Sequence, residues 1–172
     1  MLLRDLVQTS EAVTATSGRT AKISEIAGLL RRASSGEVPA VVAFLSGELL
    51  QRQIGVGYAS LGELLRLEPR GEGPLTVAET DAVFEAVGQV AGAGAQAERR
   101  RLLAGVFGRA TPAEREFLVR LLAGELHQGA LEGVMTEAVA RAAGVPAAEV
   151  RRAHLLAGSL PLVAQAALAA AW

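Results

Sequence analysis

The feature that most constrains this chain is that it contains part of itself twice. Moved forward by 77 positions, residues 26–49 fall on residues 103–126 without a gap. Ile26-Ala27-Gly28-Leu29-Leu30 lands on Leu103-Ala104-Gly105-Val106-Phe107. Leu45-Ser46-Gly47-Glu48-Leu49 lands on Leu122-Ala123-Gly124-Glu125-Leu126. Ala27, Gly28, Arg32, Ala33, Glu37, Val42, Leu45, Gly47, Glu48 and Leu49 recur unchanged at the shifted positions. A period this long, seen only twice, does not suit a solenoid, which needs three or more short units. It predicts a duplicated helical unit, with halves of about 1–68 and 75–172 packed about a pseudo-dyad in one domain.

Half of the residues are apolar (51%), dominated by Ala, Leu and Val, and aromatics make up only 3%. Ala and Leu are strong helix formers, and no segment alternates Val, Ile or Thr as a half-buried strand does. The chain therefore reads as all-α. Apolar spacing and break signals predict ten helices, at about 1–15, 20–33, 37–51, 60–67, 76–88, 96–109, 111–127, 132–143, 147–158 and 162–171. Ser34–Glu37 and Thr111–Glu114 have capping-box spacing at equivalent places in the two copies, and Thr76–Glu79 is a third such box. Pro112 stands at a first helical position, where its missing N–H costs nothing. Pro69, Gly71, Gly73 and Pro74 mark the connector between halves.

The chain has no cysteine, which excludes disulfides, thiolate zinc sites and cysteine nucleophiles. His127 and His154 lack metal-ligand spacing, and neither a GxSxG nor a P-loop is present. Glu48 and Glu125 recur as a pair, each read as part of a helix and as a buried structural carboxylate bonding a neighbouring helix start. No signal peptide or apolar run of membrane-spanning length is visible, so cytoplasmic residence is expected. The segment after Leu160 reads as a helix cut off mid-flow, as in a fragment of a longer protein.

Candidate chemistry sits at two helix starts that the repeat makes equivalent. Ser17-Gly18-Arg19-Thr20-Ala21-Lys22 aligns with Gly94-Ala95-Gln96-Ala97-Glu98-Arg99. Each has small residues, a helix start and a basic side chain in the first turn. Free N–H groups and the helix dipole make such a start an anion site. Cations there oppose the dipole, and phosphate binding would supply the reason for them. An ordinary Ser/Thr cap with solvated charges fits the same residues. A two-fold protein surface also suits a two-fold partner, such as duplex DNA. Gly55 and Gly57, and Gly129 and Gly133 in the second copy, would let backbone approach a partner closely; plain helix termination is the other reading. Arg99-Arg100-Arg101 would cradle phosphates or form a solvated face, since three consecutive helical residues cannot share one face. The net charge of −1 gives no global basic signal, so any nucleic-acid binding must be driven by patches. Two alternatives stand beside it. Residues 138–153 look like a helix-turn-helix of a transcriptional regulator, although the second helix begins Pro146-Ala147-Ala148-Glu149, which offers little to base edges. The whole chain also fits an Ala-rich helical protein-interaction module.

Taken in order, Thr16–Lys22, Phe44–Leu49, Ile54–Gly57, Glu116–Gly129 and Glu132–Val134 resemble the N-terminal DNA-binding domain of ATP-dependent DNA ligases. The resemblance is to the archaeal and eukaryotic replicative type and to an actinobacterial-looking branch, and it runs from about residue 1 to 165. It implies an all-helical domain with internal pseudo-two-fold symmetry, sitting on the minor groove around a nick in double-stranded DNA. It implies phosphate contacts from Thr16, Ser17, Arg19 and Lys22, counterparts at Gly94, Gln96 and Arg99, and close-approach glycines at Gly129 and Gly133; Thr20, Arg100, Gly55 and Gly57 are further candidate DNA contacts beside them. His127 stands where relatives usually carry Arg, and it is charged only below about pH 6.5. Ala95 stands where a hydroxyl is common. In such enzymes a separate domain takes AMP from ATP onto the lysine of a Lys-x-Asp-Gly motif. That motif does not occur here, so the chain is expected to bind DNA but not to ligate it; it is also expected to be a monomer and to need no cofactor of its own. ATP and magnesium belong to the parent ligase, an enzyme of repair or replication.

Overall fold

The computed structural model describes residues 1–52, 54–70, 73–126 and 131–170. Ten helices run through them: α1 (Leu3–Ala15), α2 (Arg19–Arg32), α3 (Val38–Leu45), α4 (Tyr58–Leu65), α5 (Val77–Gln89), α6 (Ala95–Arg109), α7 (Pro112–Ala123), α8 (Leu131–Ala143), α9 (Ala147–Ala157) and α10 (Leu160–Ala170). Among the described residues there is no strand, only one antiparallel bridge between Leu2 and Thr76. The all-α reading holds.

That bridge is itself two-fold. Leu2 and Thr76 are the residues preceding α1 and α5. Leu3 N–H donates to Leu75 O at 2.9 Å, and Val77 N–H donates to Met1 O at 3.0 Å. Exchanging the two helix starts leaves this pattern unchanged. The helices pack by the same rule: α1 lies on α7 as α5 lies on α3, and α2 lies on α8 as α6 lies on α4. Each four-helix unit thus packs its helices against the other unit. α9 and α10 are additions after the second unit, α10 packing on α3 and α8.

The interior is aliphatic, with three fully buried phenylalanines, Phe44, Phe84 and Phe107. Phe44 of α3 and Phe84 of α5 meet across the units in a tilted pair, ring centroids 5.9 Å apart, a favoured aromatic geometry. The buried face of α2 is Ile23, Ile26, Ala27, Leu29 and Leu30, the helical spacing read from the sequence.

Capping explains where the helices begin. Thr111 and Glu114 form a complete capping box on α7, with Glu114 N–H to Thr111 Oγ1 at 3.2 Å and Thr111 N–H to Glu114 Oε1 at 2.8 Å. Thr76 accepts from Glu79 N–H at 3.0 Å, but the Glu79 carboxylate turns away to Arg109, 2.7 Å off. The expected box at Ser34–Glu37 lies in the turn before α3, which starts at Val38 with Glu37 as its N-cap and no side-chain cap. Ser34 N–H donates to Glu37 Oε2 at 3.0 Å, while the other carboxylate oxygen of Glu37 takes the N-terminal amine of Met1.

Two helix ends differ from the sequence expectation. α3 stops at Leu45 rather than Gln51, and α7 stops at Ala123 rather than at 127. Both are ended by the Gly of Gly-Glu-Leu, with Gly47 at φ 76° and Gly124 at φ 72°. In each copy the following amide reaches back five residues, Glu48 N–H to Ala43 O at 2.8 Å and Glu125 N–H to Arg120 O at 2.9 Å. This is a Schellman ending, made by glycine in the left-handed region. Glu48 and Glu125 consequently lie outside the helices and are exposed, which corrects their reading as buried helical carboxylates. Gly47 has a second reason to be glycine: a Cβ there would lie 2.3 Å from Leu126 O.

Candidate nucleic-acid interface

The two equivalent helix starts share one local design. Glycine is the N-cap of both α2 (Gly18) and α6 (Gly94), and neither start is capped by a side chain. Thr16 instead closes α1, its N–H donating to Val13 O, so neither Thr16 nor Ser17 is the ordinary hydroxyl cap of α2. Ser17, Arg19, Thr20, Gly94, Gln96 and Arg100 are exposed; Thr16, Lys22 and Arg99 are half-buried.

The basic side chains of these starts lie on glycines contributed by the other unit. The Arg19 guanidinium crosses Gly133 of α8, where an added Cβ would sit 3.4 Å from its Nη2. The Arg99 guanidinium crosses Gly55, where an added Cβ would sit 3.9 Å from its central carbon. The sequence singled out all four residues separately, and the fold joins them as two crossed pairs. Arg19 Nη2 also donates to Glu137 Oε1 at 2.9 Å. Arg99 Nη2 donates to Val90 O at 2.9 Å, and its Nε is buried without a hydrogen-bond partner.

The run Arg99-Arg100-Arg101 fans out as consecutive helical residues must. Arg100 turns to Glu63 on α4 at 3.6 Å, and Arg101 is held by Glu98 of its own helix at 2.6 Å. Gly57 is the N-cap of α4 and meets no neighbour that a Cβ would touch. Gln96 sits on the first turn of α6. Of the remaining sequence-predicted positions, His127 and Gly129 lie outside the described residues.

Two adjoining clefts form a concave strip that includes Gly55 of one crossed pair and Glu132, the chain neighbour of Gly133 in the other, while neither arginine lines it. One cleft is lined by Gly47, Arg52, Gly55, Gly57, Tyr58 and residues 121–124. A second shares Glu48, Leu49 and Arg52 with it and continues to Glu132 and His154, next to Gly133. Two strip residues carried no signal that the sequence reading used. Arg52 is exposed in a left-handed turn, φ 66°. Tyr58, the only tyrosine, is 71% exposed and donates its hydroxyl to Glu125 Oε1 at 2.9 Å. That bond, with the negative charge of Glu125, pushes the phenol above its ordinary pKa. A lone aromatic beside a helix-capping glycine was the available clue.

The α8–Gly144–α9 hairpin has helix-turn-helix connectivity. Its second helix opens with Ala147, Ala148 and Glu149, which present no bidentate donor to a base edge. Among the described residues, no helix is long and apolar enough to cross a membrane.

Comparison with known proteins agrees with this architecture. The family model for the DNA ligase N terminus matches residues 63–140. A probable DNA ligase of Mycolicibacterium gilvum is 56% identical over 168 residues, covering 98% of this chain and 32% of that protein. One from Saccharopolyspora erythraea is 54% identical over 170 residues, covering 98% and 33%. One from Nocardia farcinica is 50% identical over 168 residues, covering 98% and 32%. The chain thus spans about a third of the length of the curated relatives it matches. Sequence, helical architecture and these relatives converge: the chain belongs to the N-terminal domain family of ATP-dependent DNA ligases.

Proposed function

We propose that the chain grips nicked double-stranded DNA without sequence preference, as a monomer, through the sugar–phosphate backbones bordering the minor groove. The observation that carries this reading is the reciprocal pair of cations, Arg19 on Gly133 and Arg99 on Gly55, each crossing from one unit to a glycine of the other. A duplex offers two backbones related by a two-fold. Helix starts without side-chain caps add amide hydrogens and the positive ends of helix dipoles to each cation. Such contacts position a protein on a duplex and carry no base information. Sealing, with its ATP and magnesium, is assigned to the parent enzyme. Lys22, the only lysine, sits in Ala-Lys-Ile-Ser rather than in a Lys-x-Asp-Gly motif.

Fluorescence anisotropy with labelled nicked duplexes of unrelated sequence tests the proposal. Affinity is equal across sequences, and log K falls linearly with log salt at a slope of about −0.9 per phosphate neutralised. Arg19→Ala and Lys22→Ala weaken binding to every sequence alike and reduce the slope by about one each. A preference for one sequence would return the helix-turn-helix reading. Absence of affinity at any salt would leave a helical protein-interaction module, for which the exposed Leu155, Leu156 and Leu162 already speak.

A further inference from the structure

Arg19 and Arg100, both in the proposed interface, are already occupied. Arg19 of α2 pairs with Glu137 of α8 at 2.9 Å, and Arg100 of α6 pairs with Glu63 of α4 at 3.6 Å. Each pair joins the second helix of one unit to the fourth helix of the other. Neither pair is buried: the side chains of Arg19 and Glu137 are 51% and 38% exposed, and those of Arg100 and Glu63 are 57% and 55%. Exposed ion pairs contribute little to stability, so a structural role does not account for their recurrence. A carboxylate does, however, offer a guanidinium the same oxygen geometry as a phosphate.

We propose that Glu137, and more weakly Glu63, are built-in counter-anions that a DNA phosphate must displace, and so set how tightly the domain holds DNA. The inference rests on the DNA-binding reading above. Glu137 is the stronger of the two because its bond to Arg19 is shorter. Its carboxyl is also held below the usual glutamate range, first by the Arg19 hydrogen bond and charge, then by the charges of Arg151 and Arg141. When a phosphate takes Arg19, the freed carboxylate is left facing the duplex. The exchange therefore yields less than an unpaired arginine would.

Anisotropy with one nicked duplex, at fixed salt, tests this in five proteins. They are the wild type, Glu137→Gln, Glu63→Gln, the double variant Arg19→Ala with Glu137→Gln, and the control Glu116→Gln. Glu116 is exposed on α7 and lines neither cleft of the strip, so its change alters net charge alone. Glu137→Gln tightens binding about two- to fivefold beyond the control, Glu63→Gln does so less, and the gain vanishes in the Arg19→Ala background. A gain no larger than the control's, or one that survives without Arg19, overturns the proposal while leaving DNA binding intact. Failure of all five proteins to bind overturns both. Should Glu137→Gln fold poorly, carbon-13 titration of the wild-type Glu137 carboxyl decides the matter. Its pKa rises to the ordinary glutamate value when DNA is added, and an unchanged value overturns the proposal.

Discussion

Replacing Gly47 by Ala separates two effects that the repeat places side by side. Gly47 and Gly124 occupy equivalent helix ends, and both are left-handed. An Ala at either position incurs the left-handed penalty of roughly 1–2 kcal/mol. At Gly124 that is the whole cost, because nothing lies within 4 Å of the new Cβ. At Gly47 the new Cβ meets Leu126 O at 2.3 Å and the carbonyl carbon at 3.3 Å. Both are backbone atoms and cannot rotate aside, so the chain itself must move. Overpacking of this kind costs about 1–3 kcal/mol more. Gly47→Ala should therefore lose about 2–5 kcal/mol and Gly124→Ala about 1–2 kcal/mol. Urea unfolding followed by far-ultraviolet circular dichroism reads the difference as a lower midpoint for Gly47→Ala at unchanged m-value. Equal losses for the two variants would refute the close approach of Gly47 to Leu126.

Two further substitutions probe the polar framework. Arg115 is buried, and its Nη1 donates to Leu65 O at 3.3 Å and Leu67 O at 2.6 Å, closing the carbonyl end of α4. Arg115→Ala should cost about 1–3 kcal/mol, visible as a lowered urea midpoint; an unchanged midpoint would count against the role. At Glu37, burial raises the carboxyl pKa, but bonds from the N-terminal amine and from Ser34 outweigh it and hold the value below the ordinary one. The folded pKa is depressed, so this stabilisation is complete above the unfolded value near 4.3 and is lost as pH falls through the lower folded value. Glu37→Gln should therefore flatten the acid side of a plot of melting temperature against pH. An identical acid slope in both proteins would show that Glu37 contributes nothing there.

Much of this architecture was legible because helix signals are local. The Thr111–Glu114 box, the prolines and the apolar stripes act over one or two turns, and α2, α5, α6, α8 and α9 lie within about a residue of expectation. Gly-Glu-Leu misled the reading because apolar spacing resumes at Leu49 and Leu126, although the glycine has already ended the helix. The site was legible in its parts but not in its pairing. Arg19 and Gly133 were each conspicuous, as were Arg99 and Gly55. Their association depends on how the units exchange helices, which periodicity does not encode. Glu137 and Glu63 escaped notice for the same reason, since each meets its arginine only across the units. Arg52 had no local signature, since a non-glycine residue in a left-handed turn is not marked by its residue type.

The crossed packing of α2 on α8 also fixes the order of events during synthesis. Arg19 and Glu137 are 118 residues apart in the chain. At about 5–20 residues per second, the ribosome needs roughly 6–24 s to deliver the second partner after the first. Throughout that interval the face of α2 that packs on α8 in the finished protein lacks its partner. The N-terminal unit is thus born with open apolar surface, and its burial waits on translation rather than on the intrinsic speed of helix formation.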